Sequence, residues 1–322
     1  MTNRGTLKLC ASQCVAGLLL LGIVVGLAVG VAMMVRSAMN DQRYLMATLL
    51  ELGHEGRCDD EGQYLSLESV TRNRQRLLEI LPRLKNVRAL TFNSWPESFT
   101  SEYIAEGWEA IQPTDLSLLS HAKLRSLQIG GTAITDAHVE ALGNQRDLEG
   151  LCIESCLATG ECLRTLRPAR LKGVCIGRCP MSLDGAEQLG NCTTIEHLEF
   201  DETTGLGDDH LARLRKLRNL RTLRVTGTDV TDQGFVQLAK DLPQLEYLYL
   251  FHTAVTADGL RNAARFAHWR VLRVVRSEAL DGPPLDLVKD LVELMPGCEV
   301  GINIGGQEYT QRDLPEEHAL ME

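Results

Sequence analysis

The sequence predicts an α/β solenoid, with a parallel sheet on one side and helices on the other, preceded by one transmembrane helix. Two observations predict this: a run of apolar residues near the N-terminus, and a leucine-containing pattern that recurs every 23 to 25 residues. A chain of 322 residues is long for one compact core, but each solenoid unit packs only on its neighbours. The net charge of -10 and the pI near 5.4 make nucleic acid an improbable main partner, since such binding needs a broad basic surface.

Residues 15–35 contain no charged side chain, and their 21 positions match a hydrocarbon core about 30 Å thick. A cleaved signal peptide is the alternative, because Arg4 and Lys8 precede the run. However, the apolar part of a signal peptide spans only about 7 to 15 residues. We therefore expect a retained transmembrane helix after an N-terminal tail, residues 1–14. The short tail favours a repeat region outside the cytoplasm, although basic residues flank both ends of the helix.

Three glycines recur every four residues in this helix, at Gly22, Gly26 and Gly30, and so lie on one helix face. Because glycine has no side chain, a row of glycines on one face lets a second membrane helix approach closely. A homodimer through the transmembrane helix is therefore one hypothesis. The alternative is that these glycines reflect the general frequency of glycine in membrane helices.

Residues 36–83 are predicted to form a helical linker and an N-terminal cap. Two stretches, around Leu49 and around Leu77, have apolar residues at helical spacing, with a glycine-rich break between them. The second stretch runs into the repeats, where it would cover the open end of the sheet. At the other end of the chain, residues 305–322 are predicted to be an acidic C-terminal tail.

The repeat is read directly from the spacing of apolar residues. One unit contains Leu124-x-x-Leu127-x-Ile129, and the other units repeat this spacing with Leu, Ile, Val, Phe or Trp in the apolar positions. The gap between the first and second units is longer than the period, which indicates an insertion around residues 95–115. Repeats are expected over residues 84–304. The units begin at Val87, Leu124, Leu148, Leu171, Ile195, Leu220, Leu245 and Trp269.

The pattern resembles the leucine-rich-repeat family, whose unit is L-x-x-L-x-L-x-x-N/C-x-L. Thr228-Asp-Val-Thr-Asp-Gln-Gly-Phe and Thr253-Ala-Val-Thr-Ala-Asp-Gly-Leu look like the I-T-D-x-G-L repeats of many bacterial proteins, notably those of planctomycetes. The resemblance implies a right-handed solenoid with a parallel concave sheet, convex helices, a binding function and no cofactor. Thr231 or Asp232 would cap the helix that follows. Because Thr or Cys replaces the family's Asn, the interior hydrogen-bond ladder is expected to be weaker.

Side chains alternate between the two faces of a strand, so the residues beside each inward pair face outward. Early strands have mostly small outward residues, whereas a later strand carries three aromatic residues. Aromatic and arginine side chains are typical of an interface hot spot for a protein, peptide or envelope polymer. The alternative is that they stabilise the sheet through cross-strand pairs. The predicted binding residues are Tyr247, Tyr249, Phe251, Arg224, Arg273, Glu199 and His197.

No catalytic motif is recognised: the sequence has no Gly-rich phosphate loop, no H-E-x-x-H and no G-x-S-x-G. We therefore expect that the protein is not an enzyme. Basic residues from Arg213 to Arg224 raise an alternative function, contact with anionic lipid or nucleic acid, and Arg164 to Lys172 recur at the corresponding position of an earlier unit. Acidic residues lie close by in sequence, so a solvated rim is preferred.

The cysteines are the best candidates for chemistry. Cys152 and Cys175 fall at outward positions, whereas Cys156 and Cys179 fall at a turn position that points inward. Four sulfurs divided between two environments cannot form one tetrahedral zinc site, so no metal is expected. A disulfide between Cys152 and Cys175 is the alternative to two free thiols, because adjacent strands lie about 4.8 Å apart. We favour the free thiols.

Overall fold

The chain forms one long sheet backed by a layer of short helices. The predicted transmembrane helix at 15–35, with its three glycines, lies outside the residues that the structure describes. Within the described ranges, no helix is both long and apolar enough to cross a membrane. The computed structural model describes residues 42–52, 63–68, 70–93, 109–276 and 282–314.

The long sheet contains eleven strands among the described residues. Ten of them are parallel and follow chain order, each in register with the next. Equivalent positions of successive repeats therefore lie side by side, as Leu223, Leu248 and Leu272 do. The strands are β1 Tyr64–Glu68, β2 Val70–Thr71, β3 Ala89–Asn93, β4 Glu109–Ala110, β5 Ser126–Gly130, β6 Gly150–Glu154, β7 Gly173–Gly177, β8 His197–Asp201, β9 Thr222–Thr226, β10 Tyr247–Phe251, β11 Val271–Arg276, β12 Glu299–Ile304 and β13 Gln307–Thr310.

Short helices form most of the return segments, and successive helices pack against one another. Ser182, Thr231 and Thr256 are extended N-cap residues whose hydroxyls accept a hydrogen bond from a backbone N–H of the first turn. These polar caps fix where the helices begin. The helices are α1 Gln42–Glu51, α2 Arg74–Ile80, α3 Pro113–Leu116, α4 Asp136–Glu140, α5 Leu163–Leu166, α6 Leu183–Gly190, α7 Asp208–Arg213, α8 Asp232–Asp241, α9 Ala257–Ala264 and α10 Pro284–Leu294.

The core lies between the sheet and the helices. Leu248 and Leu250 of β10 are at most 1% exposed, while Tyr249 between them faces the opposite side. The same alternation of buried and accessible residues runs through β5 to β11. We call the accessible side of these strands the open face. The inward and outward positions are those that the sequence pattern predicts.

The sheet begins earlier than the sequence pattern indicates. Within residues 36–83, α1 and α2 are helices, but β1 is a strand that pairs in parallel with β3. Leu65 and Leu67 of β1 are fully buried and occupy the inward positions of a repeat. The first apolar position of that repeat is taken by Gly62, so only two of the three apolar positions of the pattern are present. A strand therefore replaces part of the predicted helical linker and cap.

The predicted insertion at residues 95–115 leaves the long sheet continuous, because β3 and β5 are direct neighbours. Residues 94–108 lie outside the described part. After them, β4 pairs antiparallel with β2, and α3 follows. Arg74 of α2 donates hydrogen bonds from Nε and Nη2 to the buried Asp115 carboxylate, both at 2.7 Å. This bidentate ion pair connects the end of the predicted insertion to helix α2.

The C-terminal residues end the sheet with a hairpin. Residues 305–322 were predicted to be an acidic tail, but β13 pairs antiparallel with β12 through a turn at Gly305 and Gly306. These glycines have φ values of 58° and 92°, which residues with a Cβ rarely adopt. The hairpin places an additional strand beside the last parallel strand, β12. Residues 315–322 lie outside the described part.

Three of the threonines that replace the family's Asn, Thr203, Thr228 and Thr253, are buried inside the turns, whereas Thr132 is exposed. The Thr203 hydroxyl donates to the Ile176 carbonyl at 2.9 Å, which is one rung of an interior ladder. Thr228, at the equivalent place in the next repeat, is buried, and its hydroxyl has no hydrogen-bond partner among the described residues. The interior ladder is therefore incomplete, as the substitution of Asn by Thr predicts.

A carboxylate at the start of a helix links each of several repeats to the next. Asp232, the first residue of α8, accepts hydrogen bonds from Thr256 N–H at 2.7 Å and Thr256 Oγ1 at 2.6 Å. It therefore bonds across repeats, while Thr231 caps its own helix. Asp208 binds Thr231 in the same way. Asp136 binds Thr159 and also the N–H of Cys162.

The glycine three residues after Thr256, and the one three residues after Thr231, make this link possible. A Cβ at Gly259 would lie 1.9 Å from Asp232 Oδ1, and one at Gly234 would lie 2.2 Å from Asp208 Oδ1. No side chain fits there without displacing the carboxylate. These residues form a joint between repeats. The Thr of one repeat donates hydrogen bonds to the Asp of the preceding repeat, and the Gly leaves space for that carboxylate.

Candidate recognition surface

The predicted binding residues form one cluster on the open face. Glu199, Arg224, Tyr249 and Arg273 are register partners on four adjacent strands. All four are half-buried, so part of each side chain remains accessible. The structure therefore places the predicted residues side by side. The remaining members lie on the same strands, two residues before or after this row: His197, Tyr247 and Phe251.

Arg224 holds the centre of the cluster. Its guanidinium carbon lies 5.2 Å from the centre of the Tyr249 ring and 5.3 Å from that of Phe251. The two rings meet edge to face at 71°, with centroids 6.4 Å apart. On the other side, Arg224 Nε lies 3.6 Å from Glu199 Oε1. Cation–π and ionic contacts thus orient Arg224, as the cross-strand alternative predicts.

Two predicted residues also have partners of their own. Arg273 flanks Tyr249 on β11, as expected, and it also forms an ion pair with Glu299 and donates to the Glu299 carbonyl at 3.2 Å. Gly301 on β12 permits this, because a Cβ there would lie 2.9 Å from Arg273 Cδ. His197 pairs through Nδ1 with Thr222 Oγ1 at 3.0 Å.

A groove of about 520 Å³ runs along the open face from β5 to β10. Small residues form much of its floor, including Ser126, Gly150 and Gly173, while Arg224 and Tyr249 line its other end. Six strands at about 4.8 Å spacing span about 24 Å, the length of about seven residues of extended peptide. The groove volume lies in the ordinary range for ligand sites.

The thiols on the groove floor are adjacent. Cys152 and Cys175 are register partners, half-buried and free. Glu154 lies beside them, with Oε1 3.8 Å from Cys175 Sγ. A hydrogen bond with Cys175, burial and the charge of Glu154 all raise the pKa of the Cys152 thiol above its ordinary range. The sequence pattern places Glu154 on the same face as Cys152, two residues later, but Glu154 was not among the predicted site residues.

The inward cysteines form a separate environment. Cys156 and Cys179 are buried with their Sγ atoms 3.4 Å apart, and Cys179 donates to the Gly177 carbonyl at 3.0 Å. Burial raises the pKa of the Cys192 and Cys298 thiols to about 11. These thiols pack as small core side chains, and the division into two environments agrees with the sequence analysis.

The basic residues from Arg213 to Arg224 do not form an unbroken positive surface. Lys216 Nζ lies 2.6 Å from Glu187 Oε1, and Arg221 pairs with Glu246. In the earlier group, Lys172 pairs with Glu196 at 3.7 Å. Charges of alternating sign precede the strands from β5 to β11, which reduces the positive field along this edge. The alternating residues are Arg125, Glu149, Lys172, Glu196, Arg221, Glu246 and Arg270.

Comparison with known proteins adds little beyond the geometry. No family model and no curated protein matches the chain. One solved structure that it resembles is the crystal structure of a TLR13–ssRNA13 complex, with 15% sequence identity and a TM-score of 0.44. The match covers 70% of this chain but only 30% of that one.

The architecture itself matches a leucine-rich-repeat solenoid. This statement rests on the recurring parallel strands, the helical return segments and the period of 23 to 25 residues. The finer resemblance to bacterial I-T-D-x-G-L repeats stays a prediction, since no family model matches.

Proposed function

We propose that this protein is a recognition module that binds a protein or peptide segment in the open-face groove. One observation carries the proposal: a floor of small residues leads into a half-exposed cluster of Arg224, Tyr249 and Phe251. The floor lets a partner's backbone approach closely, while the cluster offers apolar, cationic and aromatic contacts. On a parallel sheet that curves as the resemblance implies, this face would be concave.

The pairing of Arg224 is compatible with this role. Its guanidinium is already oriented by Glu199 and the two rings, so little side-chain freedom is lost when a partner binds. A pre-arranged cluster of this kind is typical of hot spots. We propose binding without catalysis, because the sequence carries no recognised catalytic motif.

A cross-linking experiment tests the groove. A photoreactive amino acid is placed at Gln128, exposed on the groove floor, or at Gln237, exposed on helix α8, in the full chain in cells. We expect a discrete cross-linked product from position 128 only. Tyr249→Ala or Arg224→Ala should reduce its yield. Equal products from both positions, or a yield unaffected by either substitution, would place the binding site elsewhere.

We further propose that residues 15–35 tether the module to a membrane, with the repeats outside the cytoplasm. The charge-free run supports this, and its three glycines suggest a homodimer through the helix. Protease added to intact spheroplasts should then remove the repeat domain. Degradation only after lysis of the inner membrane would reverse the orientation.

A further inference from the structure

Three side chains of types that bind metal ions lie close together on the open face, and two of them are on the groove floor. Cys152 and Cys175 lie directly opposite each other on β6 and β7, and Glu154 follows on β6. One ligand atom from each of the three lies within 4.8 Å of the others. We propose that these side chains bind a borderline-soft divalent cation of the zinc class. This inference does not rest on the proposed recognition function.

The distances suit such a cation. Zinc binds thiolate sulfur at about 2.3 Å and carboxylate oxygen at about 2.0 to 2.2 Å, so tetrahedral ligand atoms lie about 3.5 to 3.8 Å apart. Cys175 Sγ and Glu154 Oε1 are 3.8 Å apart. Because all three side chains are only half-buried, small rotations close the remaining distances without moving the strands.

The local charge also favours a cation. Glu154 has no positively charged partner within the described ranges, whereas Glu199 on the same face pairs with Arg224. Ionising both thiols beside Glu154 would place three negative charges within 4.8 Å of one another while only protein groups are present, which costs energy. A divalent cation reverses this: two S–H protons pass to solvent as two metal–sulfur bonds form.

The donor set selects the metal. Two sulfurs and one carboxylate favour zinc-like ions over magnesium or calcium, which prefer oxygen ligands only. Gly150 and Gly173 add no side chains on the groove side, and the groove leaves room for a fourth ligand. Three protein ligands with one accessible position resemble an open zinc site rather than a closed structural one.

Cobalt binding tests the proposal. The full chain, purified under reducing conditions in mild detergent, is titrated with Co²⁺, whose bonds to thiolate absorb in the near ultraviolet. We expect one thiolate-bound Co²⁺ per chain, displaced by Zn²⁺. Cys152→Ser and Cys175→Ser should each remove the signal, and Glu154→Gln should weaken binding at least about tenfold. Affinity should rise with pH, since thiol protons are released.

Matched variants make the outcome decisive. Cys192→Ser removes a buried cysteine, and Glu149→Gln removes a carboxylate just before β6; both should bind Co²⁺ like the wild type. Circular dichroism confirms that each variant is folded. An unchanged signal in Cys152→Ser would overturn the proposal, as would a Cys152–Cys175 disulfide in protein isolated without reductant. If Glu154→Gln and Glu149→Gln bind Co²⁺ with equal affinity, Glu154 is not a ligand of the metal. Partner cross-linking is a separate readout, so the two proposals fail independently.

Discussion

Strands β5 to β7 and strands β8 to β11 have inward residues of the same kind but different open faces. Both regions bury a Leu or Val followed by an aliphatic or aromatic residue two positions later. On the open face, the first region carries small residues such as Gly150 and Cys152, whereas the second carries charged and aromatic ones. The inward positions therefore specify the fold, and the outward positions are free to differ between the two regions.

The energetics support this division. A fully buried aliphatic side chain contributes about 1.5 to 3 kcal/mol, whereas a cross-strand pair on one face of a sheet contributes about 0.2 to 1 kcal/mol. The Glu199, Arg224 and Tyr249 row is of the second kind. Its residues can therefore change with little loss of fold stability.

The largest expected effect is a difference in stability between substitutions on the two faces of strand β10. Leu248→Ala removes a side chain that is 0% exposed and should cost about 2 to 5 kcal/mol in the free energy of unfolding, because it leaves a cavity. Tyr249→Ala, one residue later on the open face, should cost less than about 1 kcal/mol. Urea unfolding measures both. Similar losses in the two variants would contradict the division of roles.

A second comparison tests the joint that both regions share. Asp232→Asn weakens the two hydrogen bonds to Thr256 and should cost about 1.5 to 3 kcal/mol, since a charged acceptor is lost. The control is Asp258→Asn in the next helix, whose side chain is 84% exposed and pairs with Arg261. It should change stability by less than about 0.5 kcal/mol. Equal effects would show that Asp232 does not couple the repeats.

The third prediction concerns how the stability contributed by Asp136 depends on pH. Asp136 forms the corresponding joint in the region of strands β5 to β7. Burial raises the pKa of Asp136, but hydrogen bonds from Thr159 and Cys162 outweigh it and hold the pKa below its ordinary value of 3.8. Such a carboxyl contributes stability that is present above the unfolded pKa and is lost as pH falls through the folded pKa. Asp136→Asn should therefore be less stable than wild type near neutral pH, and the gap should narrow below about pH 3.8. Urea titrations across pH check this, and a constant gap would contradict it.

The repeating inward pattern made the fold predictable, and incomplete patterns set its limits. The recurring spacing of apolar residues predicted the strands from β5 to β11. Tyr64–Glu68 escaped recognition because Gly62 takes the place of its first apolar residue. The terminal hairpin was missed because a Gly-Gly turn in a short acidic segment carries no repeat signal.

Side-chain partners were harder to predict than positions. The sequence placed Arg224 beside the aromatic residues, but it could not show that Arg273 turns to Glu299, which lies 26 residues away. Asp232 looked like a helix cap, whereas it bonds to the next repeat. In both cases the partner is a residue of the neighbouring repeat. The spacing of residues within one repeat does not reveal which side chains of the next repeat lie within reach.

The most direct test of recognition by the open face is the affinity of the cross-linked partner for purified full-length variants. Tyr249→Ala should weaken binding by at least about 1 kcal/mol, which is about fivefold in Kd, while its unfolding curve stays close to that of the wild type. Gln237→Ala on helix α8 should leave Kd unchanged. A Tyr249→Ala protein that binds as tightly as the wild type would contradict the assignment of recognition to this face.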